Sequence, residues 1–368
     1  MKTIKAFKYR IYPNQCQKEA FDKHFGCVRF VYNHFLRQRI DTYAQTGKGL
    51  SYSQNAKALT LLKSDPDFVW LKEVNAQSLQ QSLRHLDVAY NNFFNKRNAF
   101  PTFKKKQSKQ SFKVPQDFII KNGMLNVPKI KGIKIKLHRE LEGRPLSVTI
   151  SRTSSGKYFA SFQCEVEMTE PVKTGKTIGV DFGLKDFVTT SEGDKIKHPK
   201  HLRQSLKAIK RLQKQVSRKV RGSNNRSKAI KRLASKHEKV VDQRNDFLHK
   251  LSRKMVDDNQ AIILEDLAVK NMIKNHKLAL SLSDSGWSEF VRQLEYKGKW
   301  YGCDVHRIDR WFPSSKRCHK CGWINESLTL KDRKWTCKNG HLLDRDHNAA
   351  LNILTFGTEG HSETSPNG

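Results

Sequence analysis

Acidic side chains are scarce in this chain. Its 368 residues hold 35 Asp or Glu against 70 Lys or Arg, a formal charge of +35 at pH 7. The excess is spread over the whole length, which argues against a membrane-surface protein, where charge gathers on one amphipathic helix or terminal cluster. It calls for a polyanionic partner, nucleic acid first, because each neutralised phosphate releases counterions. A ribosomal-type scaffold is the plainer alternative on charge alone. Long apolar runs are missing too: no stretch approaches the ~18 consecutive apolar residues of a membrane span. The first residues, Met1-Lys2-Thr3-Ile4-Lys5, lack the apolar core of a secretory signal. A soluble, cytoplasmic protein of a bacterial or archaeal cell is therefore expected, associated with the nucleoid. Cysteine pairs are also lacking over most of the chain. Cys16, Cys27, Cys164 and Cys303 are scattered, as suits buried thiols in a reducing compartment. No internal repeat is found.

What is present is enough to fold. Apolar residues make up 37%, with 20 Phe, 9 Tyr and 6 Trp, which excludes wholesale disorder. At roughly 100–200 residues per domain, two or three domains are expected. Ile4, Ala6, Tyr9 and Ile11 alternate with basic residues and mark a strand ending before Pro13. Phe21, Phe25, Val28, Val31 and Phe35 then recur at helical spacing. Leu79, Leu83, Leu86 and Tyr90 repeat that spacing beyond Pro66. After the basic loop Phe100-Pro101-Thr102-Phe103-Lys104-Lys105-Lys106, alternation returns between Met124 and Glu167. With the first strand it reads as a small β-barrel into which the helices are inserted. Thr177–Phe182 is a compact apolar strand, with a second strand over Phe187–Ser191. Two long helices dense in Lys and Arg follow, turning at Gly222-Ser223. Ala261–Leu264 is a buried strand ending at Glu265, Trp287–Tyr301 a helix, and Val305–Ile308 another strand.

Cys318-x2-Cys321 followed by Cys337-x3-His341 has the spacing of a zinc ribbon. The fourth ligand is His341 or its rival His319, since position 340 is Gly. Four carboxylates stand out because they sit on or beside apolar elements. Asp181 lies inside Ile178-Gly179-Val180-Asp181-Phe182, Glu265 ends Ile262-Ile263-Leu264, and Asp344 and Asp346 precede the helix-like Asn348-Ala349-Ala350-Leu351-Asn352-Ile353. A carboxylate on a buried strand costs several kcal/mol unless it meets a cation or good hydrogen bonds. Such acids in a basic protein suit two-metal phosphodiester hydrolysis, with two Mg²⁺ about 4 Å apart. His341 lies five residues before Asp346, so closing a zinc site there would fix the segment presenting the third acid.

The motifs Gly179-Val180-Asp181-Phe182-Gly183-Leu184-Lys185, Leu264-Glu265-Asp266-Leu267, Cys318-His319-Lys320-Cys321-Gly322 and Asp344-Arg345-Asp346-His347-Asn348-Ala349-Ala350-Leu351-Asn352-Ile353 closely resemble the TnpB family. These are the OrfB-type proteins of bacterial insertion sequences, relatives of the type V CRISPR effectors. The likeness includes Arg29-Phe30-Val31-Tyr32-Asn33-His34 and Asp246-Phe247-Leu248-His249-Lys250-Leu251, and reaches to about residue 354.

The resemblance implies an α+β multidomain protein. A β-barrel wedge domain (1–12 and 99–172) would carry an inserted helical recognition lobe (13–98). An RNase H-like (RuvC) nuclease (173–310 and 344–354) would be interrupted by a helical hairpin (200–257) and a zinc-binding, target-nucleic-acid-binding insertion (311–343). A disordered tail would span 355–368. The implied activity is Mg²⁺-dependent, RNA-guided cleavage of both DNA strands, with Asp181, Glu265 and Asp346 as catalytic Mg²⁺ ligands and Asp344 as the alternative third acid. Structural zinc would be held by Cys318, Cys321, Cys337 and His341. The implied partners are a non-coding guide RNA from the transposon end, one protein per RNA, and double-stranded target DNA bearing an adjacent motif. Tyr52 and Gln80 match positions that touch nucleic acid in relatives, whereas Ala76 departs from a common basic contact. Two alternatives remain: a catalytically silent, guided DNA-binding repressor, and a transposase with strand-transfer activity.

Overall fold

The computed structural model describes residues 2–107, 109–168, 175–329 and 331–362, with side chains as far as Glu359. It divides into two compact units, Met1–Met168 and Thr169–Gly368.

The first unit begins with β1 (Lys2–Tyr12) and the 32-residue α1 (Gln15–Thr46). Asn14 caps α1: its side chain accepts from the Gln17 N–H, and the Gln17 side chain returns the bond to the Asn14 N–H. Helices α2 (Tyr52–Leu62) and α3 (Ala76–Phe94) follow, separated by a 3-10 turn at Pro66–Glu73. Then come β2 (Gln110–Val114), β3 (Ile119–Lys121), β4 (Met124–Val127), β5 (Ile130–Lys136), β6 (Arg144–Arg152) and β7 (Tyr158–Glu167). The seven strands form one antiparallel sheet in the order β2-β6-β7-β1-β5-β4-β3. Its alternation is plainest in β7, where Tyr158, Ala160, Phe162, Cys164 and Val166 are buried. Phe21 of α1 meets that face at 5.9 Å from Phe112 and 5.7 Å from Tyr158, between ring centroids. Among the described residues β2 and β3 are the edge strands of this sheet, each pairing with one neighbour, so the barrel expected from the sequence is seen as a seven-stranded sheet with two open edges.

The second unit contains β8 (Thr177–Phe182), β9 (Asp186–Thr190), β10 (Lys195–Lys197), the helices α4 (His201–Ser217) and α5 (Asn224–Asp258), and β11 (Ala261–Glu265). After these come α6 (Val269–Met272), α7 (His276–Ser285), α8 (Trp287–Tyr301), β12 (Asp304–Ile308), the hairpin β13 (Lys334–Thr336) and β14 (Leu342–Asp344), and α9 (Arg345–Ser362). Five strands form a mixed sheet, β10-β9-β8-β11-β12, antiparallel on the β10 side of β8 and parallel from β8 to β12. On one face Ile178, Val180, Phe182, Ile262 and Leu264 pack with Leu248, Leu251 and Met255 of α5 and Phe290 and Leu294 of α8. The opposite face receives α9. Residues 355–362, expected to be disordered, continue this helix, and residues 363–368 lie outside the described ones. Periodicity in that segment is hidden by Gly and Thr; what holds the helix is Gly357 lying against Ile263 of β11 and Phe356 stacking at 4.1 Å on Phe312 of the loop after β12. Among the described residues, no helix is long and apolar enough to cross a membrane.

Candidate metal centres

Strand alternation and two glycines set the geometry of the carboxylate cleft. A Cβ on Gly179 would lie 2.3 Å from the Ala350 carbonyl oxygen and 2.7 Å from the Leu354 nitrogen. Glycine is therefore what lets α9 lie directly on β8. Asp181, two residues on, faces the same way as Gly179, and Asp346 lies one turn before Ala350 on α9. Likewise a Cβ on Gly357 would meet Ile263, so α9 also covers β11 on the face that Glu265 shares with Ile263. Asp181, Glu265 and Asp346 consequently line one cleft of about 890 Å³, together with Ser314, Lys316, Arg333 and Arg345.

Like charges dominate its electrostatics. Burial pushes the Asp181 carboxyl well above the ordinary carboxylate range, and the neighbouring Glu265 and Asp346 push it further; Arg345 pulls the other way. Burial also raises Glu265, against the Ser314 hydroxyl that donates to its Oε1. Asp346 accepts from Arg345 Nη2 at 2.9 Å and from Arg333 Nη1 at 3.3 Å. Asp344 has a different job. Its Oδ1 accepts from the His347 N–H at 3.1 Å, capping α9, and its Oδ2 meets Lys195 at 2.7 Å. Burial opposes that charge, but Lys195 and the His347 N–H prevail and hold the carboxyl below its ordinary value. Of the two candidate third acids, Asp346 is the one in the cleft. Three carboxylates thus line one cleft, and two of them are pushed toward protonation, a push that a bound cation would reverse.

Cys318, Cys321, Cys337 and His341 bring their ligand atoms within 4.8 Å of one another. Cys321 Sγ and Cys337 Sγ are 3.7 Å apart, and His341 Nδ1 is 3.2 Å from Cys337 Sγ and 3.6 Å from Cys318 Sγ. Tetrahedral zinc with Zn–S of ~2.3 Å and Zn–N of ~2.0 Å puts its ligands roughly 3.6–3.8 Å apart, so the set fits zinc. His319 is engaged elsewhere: its Nδ1 lies 2.9 Å from Asn348 Oδ1, which also accepts the His319 N–H at 3.0 Å.

Sequence reasoning missed what ties the two centres together. Asn352 Nδ2 donates to the carbonyls of Ser314 (2.8 Å) and Arg317 (2.6 Å), and Asn348 Nδ2 donates to Arg317 (2.7 Å). Both amides are buried. They hold the loop leading to Cys318 against the helix that bears Asp346, and place Ser314 on Glu265. The only signal was two Asn four apart in an apolar helix, a costly choice without partners. In the first unit Tyr52 starts α2, with the Arg84 guanidinium 5.4 Å from its ring, and Gln80 is exposed on α3 one turn before Arg84.

Three family profiles match the chain: "Probable transposase" of the OrfB IS605 type at residues 161–276, the "Cas12f1-like, TNB domain" at 287–353, and an OrfB "Helix-turn-helix domain" at 1–48. Over the last, the structure has a strand and one unbroken helix. Two similar proteins carry the name "Putative RNA-guided DNA endonuclease". That of Streptomyces pristinaespiralis is 44% identical over 96% of this chain and 89% of its own. InsQ of Escherichia coli K12 is 33% identical over 97% and 93%. Among solved structures, the Cas12f1–sgRNA–target DNA complex matches with TM-score 0.53 at 14% identity, over 96% of this chain and 99% of that one. The mini-RNA-guided endonuclease CRISPR-Cas_phi3 matches with TM-score 0.51 at 10% identity, over 97% and 92%. These two likenesses bear on the fold, which is α+β. The chain belongs to the OrfB family of IS605-type elements, the TnpB-like proteins.

Proposed function

We propose that this protein is an RNA-guided DNA endonuclease of an insertion sequence, which cuts both strands of its target by divalent-metal hydrolysis. The observation that carries the reading is the convergence of Asp181, Glu265 and Asp346, from three separate elements, in one cleft of a strongly basic chain. A pure DNA-binding repressor has no use for a buried acid set beside two further carboxylates that repel its charge. Residues 173–310 and 344–354 are read as the RNase H-like (RuvC) nuclease, 311–343 as its zinc-binding insertion, and 1–172 as wedge and recognition lobe.

In this reading Asp181, Glu265 and Asp346 hold two Mg²⁺ ions, which would supply an activated water and neutralise charge on the leaving oxygen. The chain's own groups do the rest. Ser314 orients Glu265 by its hydroxyl donation, and the α9–β8 contact at Gly179 keeps Asp346 against Asp181. Arg333 and Arg345 pair with Asp346 and fix the direction of its carboxylate. Cys318, Cys321, Cys337 and His341 bind a structural zinc that fixes the segment entering α9. Sequence selection is assigned to pairing between a transposon-end guide RNA and the target strand, while the protein reads a short adjacent motif. Tyr52 and Gln80 are placed among the residues that do so.

The test is cleavage of a plasmid library bearing a chosen target beside randomised bases, with the flanking non-coding RNA reprogrammed to that target. Depletion of one flanking motif by the wild type, and not by Asp181→Ala, supports guided cutting. Target binding by both without cutting by either sinks it.

A further inference from the structure

Trp311 is the most exposed of the large apolar side chains among the described residues, at 85%. Soluble proteins seldom leave an indole bare, because burying it is worth more than burying almost any other side chain. Its setting makes the exposure specific. The loop carrying it is held on both sides of the ring. Arg310 is ion-paired to Asp266 and its Nε donates to the Asp266 carbonyl at 3.1 Å. The Trp311 N–H is bound by Asp309 Oδ1 at 2.8 Å. Phe312 stacks on Phe356 of α9, and Ser314 donates to Glu265. Phe312, Pro313, Ser314, Ser315 and Lys316 line the carboxylate cleft, so the indole stands directly beside that run. Arg310, Lys316 and Arg317 make the same loop basic, against one acid, Asp309.

We propose that Trp311 is a stacking platform for an unpaired base of the DNA strand that enters the carboxylate cleft, holding the backbone while Asp181, Glu265 and Asp346 face the phosphate. The inference rests on the nuclease reading for its second clause only. The chemistry selects the occupant. An aromatic face on a basic, immobilised loop suits a base attached to phosphate, and every base has a π-face, so the contact tolerates any sequence. A rigid platform also loses little freedom on binding. An apolar protein partner, such as a second copy of this chain, would gain nothing from the basic residues Arg310, Lys316 and Arg317 of the same loop.

Two measurements on the full chain test this, with Trp311→Phe and Trp311→Ala. The first uses an oligothymidine and tryptophan fluorescence, in the Asp181→Ala background and at raised salt to suppress backbone contacts. Quenching should be present with Trp311 and absent from Trp311→Phe. Affinity should fall about 5- to 150-fold in Trp311→Ala, the usual span for one lost base stack, and recover largely in Trp311→Phe. The second is guided cleavage, where Trp311→Ala should raise KM far more than it lowers kcat and Trp311→Phe should restore it. Oligothymidine binding unchanged by Trp311→Ala, or a change of oligomeric mass with unchanged binding, overturns the proposal. If no variant, wild type included, cuts DNA, the nuclease reading has failed, and the fluorescence arm still decides the platform.

Discussion

Both units bury charge, and they do so in opposite ways. In the first, Arg39 is buried on α1, with its Nη2 2.9 Å from Asp87 of α3 and its guanidinium 4.9 Å from the Tyr90 ring. The counter-charge is supplied by the chain. In the second, Asp181 is buried beside Glu265 and Asp346, charges of its own sign, and burial pushes it toward the protonated form. A buried charge with its partner in the chain is architecture, whereas a buried acid pressed by carboxylates of its own sign is a place for a counter-ion from outside.

The sharpest way to break that comparison is to neutralise each charge. Asp181→Asn should lower guided cleavage at least ~1000-fold, about 4 kcal/mol of transition-state stabilisation. Without added metal its Tm should rise by roughly 2–4 °C, because a repulsive acid is gone. Arg39→Met should move Tm the other way, with a loss of about 1–3 kcal/mol, since Asp87 is partly exposed and screens its own loss. If Asp181→Asn instead melts below wild type, the acids are structural.

His341→Ala tests whether the second centre serves the first. It should cost the bound zinc, read by elemental analysis, and cleavage should fall about 100-fold or more, because the short β14 leads straight from His341 to the segment that bears Asp346. Zinc loss with normal cutting would separate the two centres.

Glycine substitutions should carry opposite signs in the two units. Gly179→Ala puts a Cβ into the backbone of α9, so a loss of roughly 3 kcal/mol or more and of cleavage is expected by denaturant unfolding. Gly26, inside α1, has open space where a methyl group would go, with nothing within 4 Å, so Gly26→Ala should stabilise by about 0.5–1 kcal/mol.

A pH-dependent effect of modest size lies on the sheet face away from the acids. Lys297 of α8 is buried, donating to the His249 carbonyl and the Ser252 hydroxyl at 2.7 Å each. Burial, helped by Arg253, lowers its pKa to about 8. Between about 8 and its ordinary 10.5 the unfolded chain binds the extra proton, so stability rises with pH across that window and is lower below it. Urea unfolding should show a rise of roughly 1–3 kcal/mol from pH 7 to 10, flattened in Lys297→Met.

Much of the site was legible along the chain because its residue types contradict their surroundings. Acids on apolar strands and Cys-x2-Cys have few other uses, so Asp181, Glu265 and the first three thiols could be singled out by chemistry alone. Local pattern also located β8, β11, α8 and the two basic helices, whose core faces are strictly periodic. Patterning said nothing of whether the first sheet closes, since an edge strand and a paired one alternate alike. It also missed the helix beyond residue 354, where the stack of Phe356 on Phe312 and the close approach of Gly357 to Ile263 override weak propensity.

Composition and spacing alone thus determined the class of partner, the candidate metal-ligand types and most elements, because charge, apolar period and ligand chemistry are local properties. Only the tertiary structure decided between Asp344 and Asp346 and between His319 and His341. Each pair is chemically equivalent and two or more residues apart. What separates them is which neighbour the fold supplies: Lys195 and an N-cap for Asp344, the carboxylate cleft for Asp346, Asn348 for His319, and three thiols for His341.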